Sequence, residues 1–168
     1  MTLSGRGQSL IFTPLNREEA AEILLWRYEP PYDIYNHRTE DAPATLRYLL
    51  DPANGFFSIH AAEGEWIAFC SFGPDARVPG GDYAEAALDI GLGIRPDLTG
   101  QGRGPRIIGE VLAFAAQRFG PPRFRVTIAA FNARARKAWA KAGFAETAQF
   151  KRRSDGRKFV MLVREAKG

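Results

Sequence analysis

Gly100, Gly102 and Gly104, with Arg103 between them and Arg106 just beyond, are the residues of this chain best suited to chemistry on an anion. Glycine adopts positive φ without steric cost and lets backbone N–H groups come close to a ligand. Pro105 suits the first turn of a helix, so the two arginines fall at a helix start, where positive charge is unfavourable by about 0.3–1 kcal/mol each. Bound phosphate reverses that sign, because the first turn of a helix offers N–H donors that lack intrahelical partners. Glu85 and Asp89, on the run leading into this loop, are the candidate general bases. The competing reading is a pair of solvent-facing strand carboxylates. Trp26, Tyr28, Tyr32 and Tyr35 surround Pro30 and Pro31. They read either as a wall of a substrate pocket or as a loop pinned to the core by its rings.

These groups must be positioned by regular elements. Leu88, Ile90, Leu92 and Ile94 alternate with Asp89, Gly91 and Gly93, the period of a strand. Beyond the loop, Ile107, Ile108, Val111, Leu112, Ala115, Ala116 and Phe119 recur at helical spacing. Upstream, residues 9–13 predict a strand, and Asn16 with Glu19 predicts a capping-box start for a helix to about residue 27. Thr39 is the expected cap of a second helix reaching residue 50. Residues 56–62 and 66–72 predict a hairpin around Glu63-Gly64-Glu65. Downstream come a strand over 124–129, a helix from 132 to about 142 stopped by Gly143, and strands over 145–151 and 159–164 around Ser154-Asp155-Gly156. The order β-α-α-β-β-β-α-β-α-β-β predicts an α/β (α+β) fold: one domain over residues 1–168, with a mixed, mostly antiparallel central sheet and helices on both faces. Residues 1–8 are expected to be a flexible N-terminus.

A chain of 168 residues is long enough to bury a core without staples. It has no apolar run long enough to span a bilayer and no secretory centre at its start, so a cytoplasmic location and no membrane partner are the expectation. Cys70, the single cysteine, sits in an apolar run and reads as a core residue. The net charge of +4 divides unevenly: residues 1–102 hold 7 Lys/Arg against 15 Asp/Glu, net −8, while residues 103–168 hold 16 against 4, net +12. The basic half asks for an anionic ligand or nucleic acid.

Three kinds of phosphate loop compete. No lysine with Ser or Thr follows Gly104, which excludes a P-loop. The spacing G-x-G-x-G departs from the dinucleotide fingerprint, and no acidic residue ends the following strand to hold a ribose. The third kind fits. Thr99-Gly100-Gln101-Gly102-Arg103-Gly104 after Ile94-Arg95-Pro96 resembles the pyrophosphate loop of the GCN5-related N-acetyltransferase (GNAT) superfamily. The run from Asn132 through Ala135 and Trp139 to Gly143-Phe144 resembles that family's N-x-x-[AS]-x-x-x-Y-x-x-x-G-F element. The likeness extends through element order over about residues 9–165.

The resemblance implies acetyl-CoA as cofactor, coenzyme A as product, and no metal. It implies a pyrophosphate held by Gly100, Gln101, Gly102, Arg103, Gly104 and Pro105, a pantetheine arm along Leu92, Gly93 and Ile94, and Asn132 beside the arm. The implied reaction is direct attack of a primary amine, on a small molecule or a peptide, upon the thioester carbonyl, with a backbone N–H near Leu92 stabilising the oxyanion. An α-amino group, with a pKa of about 7.7–8.0, needs little help, whereas a lysine-like amine at about 10.4 needs a base. Thr99 stands where the family usually has Gln or Arg. Trp139 stands where many members carry a tyrosine that protonates the thiolate, and an indole N–H only donates. Thr127 stands where one branch carries a catalytic glutamate. The rival functions are a catalytically weak coenzyme A-binding module and a nucleic-acid-binding protein using the basic half. The second lacks aromatic side chains interleaved with its charges. A homodimer is compatible with all three.

Overall fold

The computed structural model describes residues 9–166, so the flexible N-terminus expected for residues 1–8 lies outside the described residues. Seven strands form one sheet in the order β1-β2-β3-β4-β5-β7-β6. They are β1 (Ile11–Pro14), β2 (Phe56–His60), β3 (Trp66–Phe72), β4 (Leu88–Ile94), β5 (Arg123–Ala129), β6 (Ala145–Lys151) and β7 (Lys158–Glu165). Every neighbouring pair is antiparallel except β4 and β5. The helices are α1 (Arg17–Ile23), α2 (Ala42–Leu50), α3 (Gly104–Phe119) and α4 (Ala133–Lys141). The mixed sheet and element order match the sequence expectation.

Alternation along the strands sorts the core onto two faces. Phe57 and Cys70 pack with Ile107, Ile108, Val111 and Leu112 of α3. Their neighbours Phe56 and Phe69 pack on the other face with Ala20 and Ile23 of α1 and Leu49 of α2. Cys70 is fully buried, and burial pushes its thiol far up, as a core residue requires. Among the described residues no helix is long and apolar enough to cross a membrane.

Local chemistry decides the element ends. The Asn16 side chain accepts from Glu19 N at 2.8 Å and Glu19 Oε1 accepts from Asn16 N at 3.0 Å, completing the capping box of α1. That helix ends at Ile23 rather than near residue 27. The chain turns there so that the Trp26 ring packs, tilted, at 4.9 Å from Trp66 and 5.6 Å from Phe69, and Arg27 Nη1 donates to the Leu24 and Trp26 carbonyls. Thr39 does not cap α2. It opens a 3-10 turn, Thr39–Asp41, and α2 begins after it with no side-chain cap and a proline in its first turn.

The parallel pair is the shortest in register. β4 and β5 meet only at Leu88 with Phe124 and Asp89 with Arg125. By contrast β3 pairs with β4 from Ile90 to Ile94, and β5 with β7 along its whole length. The two half-sheets therefore part beyond Asp89. At that last rung the Asp89 carboxylate, 1% exposed, takes Arg125 Nε at 2.7 Å and Nη2 at 2.8 Å. Arg77 Nε donates to the same carboxylate at 2.9 Å. These bonds hold the Arg125 guanidinium above its usual pKa. Asp89→Asn strands two guanidiniums around a neutral amide and is expected to cost about 3–5 kcal/mol, the range for breaking a buried ion pair. Urea denaturation measures it, and an unchanged midpoint would show the pair to be dispensable.

Candidate active site

A cavity of about 430 Å³ fills the gap between the parted strands. Ile90, Leu92 and Ile94 of β4 and Val126, Thr127 and Ile128 of β5 form its two sides. Backbone polarity there follows from pairing. Asp89 O accepts from Gly73 N and Arg95 N donates to Ile67 O, so the odd-numbered residues of β4 turn their polar groups away from β5. Strand alternation then aims the N–H and C=O of Leu92 and Ile94 into the cleft. Gly93 is demanded by packing: a Cβ there would stand 2.4 Å from the Phe69 ring.

The glycine loop closes one end of the cavity. Gly100 and Gly102 hold φ of +72° and +76°, a conformation that disfavours side chains. Gly100, Gly102, Arg103, Gly104 and Pro105 all line the cavity. The start of α3 has no side-chain cap, which leaves its first-turn donors to a ligand. Arg134 of α4 reaches the same place, its Nη1 3.3 Å from where a Gly100 Cβ would be. Gln101 faces away, donating from Nε2 to Asp97 O at 2.8 Å, and Thr99 turns its hydroxyl back to Pro96 O at 2.8 Å. Asn132 caps α4 by accepting from Ala135 N at 3.0 Å, and its Nδ2 donates to Tyr35 Oη at 3.1 Å.

Aromatic rings make a further wall, linked to the loop by Arg134. Trp26, Tyr28, Tyr32 and Tyr35 line the cavity together with Phe69 and His37. The segment carrying the tyrosines forms a 3-10 turn, Tyr32–Tyr35, which two prolines alone did not announce. Tyr28 Oη donates to Ile94 O at 2.7 Å, and burial raises the pKa of the Tyr28 phenol well above its usual value. Among the described residues lining the cavity, none is an aspartate or a glutamate.

The structure thus brings together most of the residues singled out in the sequence and leaves two apart. Asp89 does not line the cavity, because its lone pairs are spent on Arg125 and Arg77. Glu85 is exposed and pairs with Arg123. His37 and Arg134 are the functional candidates the sequence reading did not single out. His37 is one of only two histidines and follows directly on the aromatic run, a signal that was there to be used. Burial, with Arg27 adding to it, pushes the His37 imidazole below its usual pKa, against a smaller opposing effect of Asp75. Thr127 also faces the cavity, with Tyr83 Oη behind it at 2.9 Å from its Oγ1. The site can hold an elongated molecule: an anionic end at the loop, a peptide-like arm along β4, and an apolar partner against the rings.

Residues 18–144 match the model of the acetyltransferase (GNAT) family. No curated protein sequence matches the chain. Among solved structures, an acetyltransferase of the GNAT family from Bacillus anthracis superposes with a TM-score of 0.69 at 12% identity, covering 97% of this chain and 98% of that one. A chimeric spermidine N-acetyltransferase from Vibrio cholerae and hSSAT gives 0.68 at 18% identity, covering 95% and 97%. At such identities the likeness shows a shared fold.

The neutral imidazole of His37 has a direct check. In an NMR titration it is expected to take up its proton below the ordinary value of about 6.5, and a midpoint at or above that value would contradict its burial beside Arg27.

Proposed function

The chain belongs to the GNAT family of acetyltransferases, and on that premise we propose that it moves an acetyl group from acetyl-CoA to a primary amine of a small molecule or peptide, releasing coenzyme A. One observation carries this reading: unpaired strand amides and a glycine cradle at an uncapped helix start converge on a single cavity. The residues present fit the cofactor. The amides of Gly100 to Gly104, with Arg103, would hold the pyrophosphate on the helix start. The backbone groups of Leu92 and Ile94 would pair with the pantetheine amides as a missing strand would, with Asn132 beside them. When bound, acetyl-CoA supplies an activated thioester carbonyl.

The chain's own residues do the rest. The Leu92 N–H, aimed into the cleft, is the donor placed for an oxyanion. The aromatic wall excludes water and orients the amine. We assign proton removal from the amine to His37, directly or through water, because it lines the cavity and burial favours its neutral form. Asp89 and Glu85 are not carried forward as bases, since neither faces the cavity. Trp139 supplies no acid, and the Thr127 hydroxyl, backed by Tyr83, is the pair able to pass a proton into the cleft. Trp139 is also what favours the second reading, a coenzyme A-binding module with weak catalysis.

Calorimetry with acetyl-CoA, followed by thiol release over a panel of amines, tests the proposal. Binding with turnover is expected, binding without turnover selects the second reading, and no binding would sink both. Gly102→Val forces a branched residue to φ +76° in open space, so only the backbone suffers. The loop relieves that strain, about 1–3 kcal/mol, by leaving this φ and turning its amides out of the cradle, so acetyl-CoA binding is expected to weaken about tenfold or more, while the thermal midpoint falls by no more than the several degrees such a strain is worth. Equal affinity would remove the loop from the binding site.

A further inference from the structure

The acceptor end of the cavity has a sign. Tyr32, one of its rings, is already attended by a cation of the protein: the Arg134 guanidinium, which also reaches the glycine loop, lies 4.3 Å from the ring centre. Arg157 lies 5.8 Å from that of Phe131, which itself packs 5.9 Å from Tyr32 and 6.5 Å from Tyr35. Tyr32, and Phe131 outside the cavity lining, have little left to offer a second cation, which leaves the faces of Trp26, Tyr28 and Phe69 for a single amine. Carboxylates do not make up the difference. None of the described residues lining the cavity is acidic. Beside Arg157, Asp155 is held by Arg152 through Nε at 3.0 Å and Nη2 at 2.6 Å, which spends its charge.

A polyamine needs more than one negative or π-rich partner, one for each ammonium that remains charged while another reacts. This site instead offers apolar surface under a positive field. Resting on the acetyl-transfer reading above, we propose that the acceptor is a monoamine with an aromatic or aliphatic body and no second positive charge. The amine nitrogen reaches the cleft beside His37, and the body lies against Trp26, Tyr28 and Phe69. A linear triamine would leave its charged tail in an apolar lining with no carboxylate to meet it.

Four measurements decide it, with acetyl-CoA, 2-phenylethylamine and spermidine as probes. Calorimetry with acetyl-CoA alone first tests the underlying reading, and absence of binding there would fail that reading as well as this one. With the cofactor bound, kcat/KM for 2-phenylethylamine is expected to exceed that for spermidine at least tenfold. Spermidine equal or better, or neither amine turned over, overturns the inference while leaving cofactor binding intact. Tryptophan fluorescence of the protein without cofactor gives a readout independent of turnover: 2-phenylethylamine should perturb it at lower concentration than spermidine, and the reverse order counts against the proposal. Arg157→Glu plants a carboxylate at the rim on an exposed side chain. It is expected to shift the kcat/KM ratio toward spermidine at least threefold, and an unmoved ratio would overturn the role of rim charge.

Discussion

The contact between Asp89 and Arg125 is the constraint on which the rest depends. It sits at the last rung where β4 and β5 still pair, with both side chains buried. Burying an ion pair is costly unless its geometry and remaining hydrogen bonds are good. Here the carboxylate is gripped by two nitrogens of one guanidinium and one of another, and Arg125 Nη1 also donates to Glu85 O at 2.9 Å. One rung further, both strands continue without each other. The pair works as a hinge pin: it joins two half-sheets firmly at one point and so lets them diverge at a fixed place.

What opens beyond the pin is shaped by two opposite demands. β4 must pack tightly on β3, which is why its odd positions include Gly91 and Gly93, whose Cβ atoms would collide with Ser71 Oγ and the Phe69 ring. Its even positions must remain unpaired, with polar backbone facing a cavity that is otherwise apolar. Unpaired backbone in an apolar place is costly, and the protein answers part of that cost itself, with the Tyr28 hydroxyl on Ile94 O. The rest is left for a ligand. The awkward placement of Arg103 at the start of α3 has the same logic: it is unfavourable in the free protein and favourable with an anion present.

The sequence disclosed the parts of this arrangement that are local and concealed those that are not. The loop, the capping box at Asn16 and the helix from Asn132 to Gly143 are each written in a dozen residues or fewer, and each formed as expected. Element order and sheet type followed from hydrophobic periodicity. Asp89 was expected to face the site from the same periodicity and instead meets Arg125: alternation puts a residue on a strand but cannot say what a neighbouring strand sets against it. Its partner lies 36 positions away. His37 was hidden for the complementary reason, since a residue after an irregular segment has no period to locate it. Thr39 as a cap failed because a 3-10 turn intervened before α2, a choice between near-equal local geometries that packing decides.

The aromatic wall is unusual in how it is attached. Residues 26–37 supply five of the side chains facing the cavity, all from one continuous segment. Two hydrogen bonds, Tyr28 to Ile94 O and Asn132 to Tyr35, run from that segment to the strand and helix across the cleft. The cradle and β4 come from a different stretch of chain. The side chains of the wall and the backbone of the cradle are therefore encoded in separate stretches of chain, joined across the cleft by these two hydrogen bonds. A change of side chain within residues 26–37 can thus reshape the wall while β4 and the loop keep their course, provided those two bonds survive.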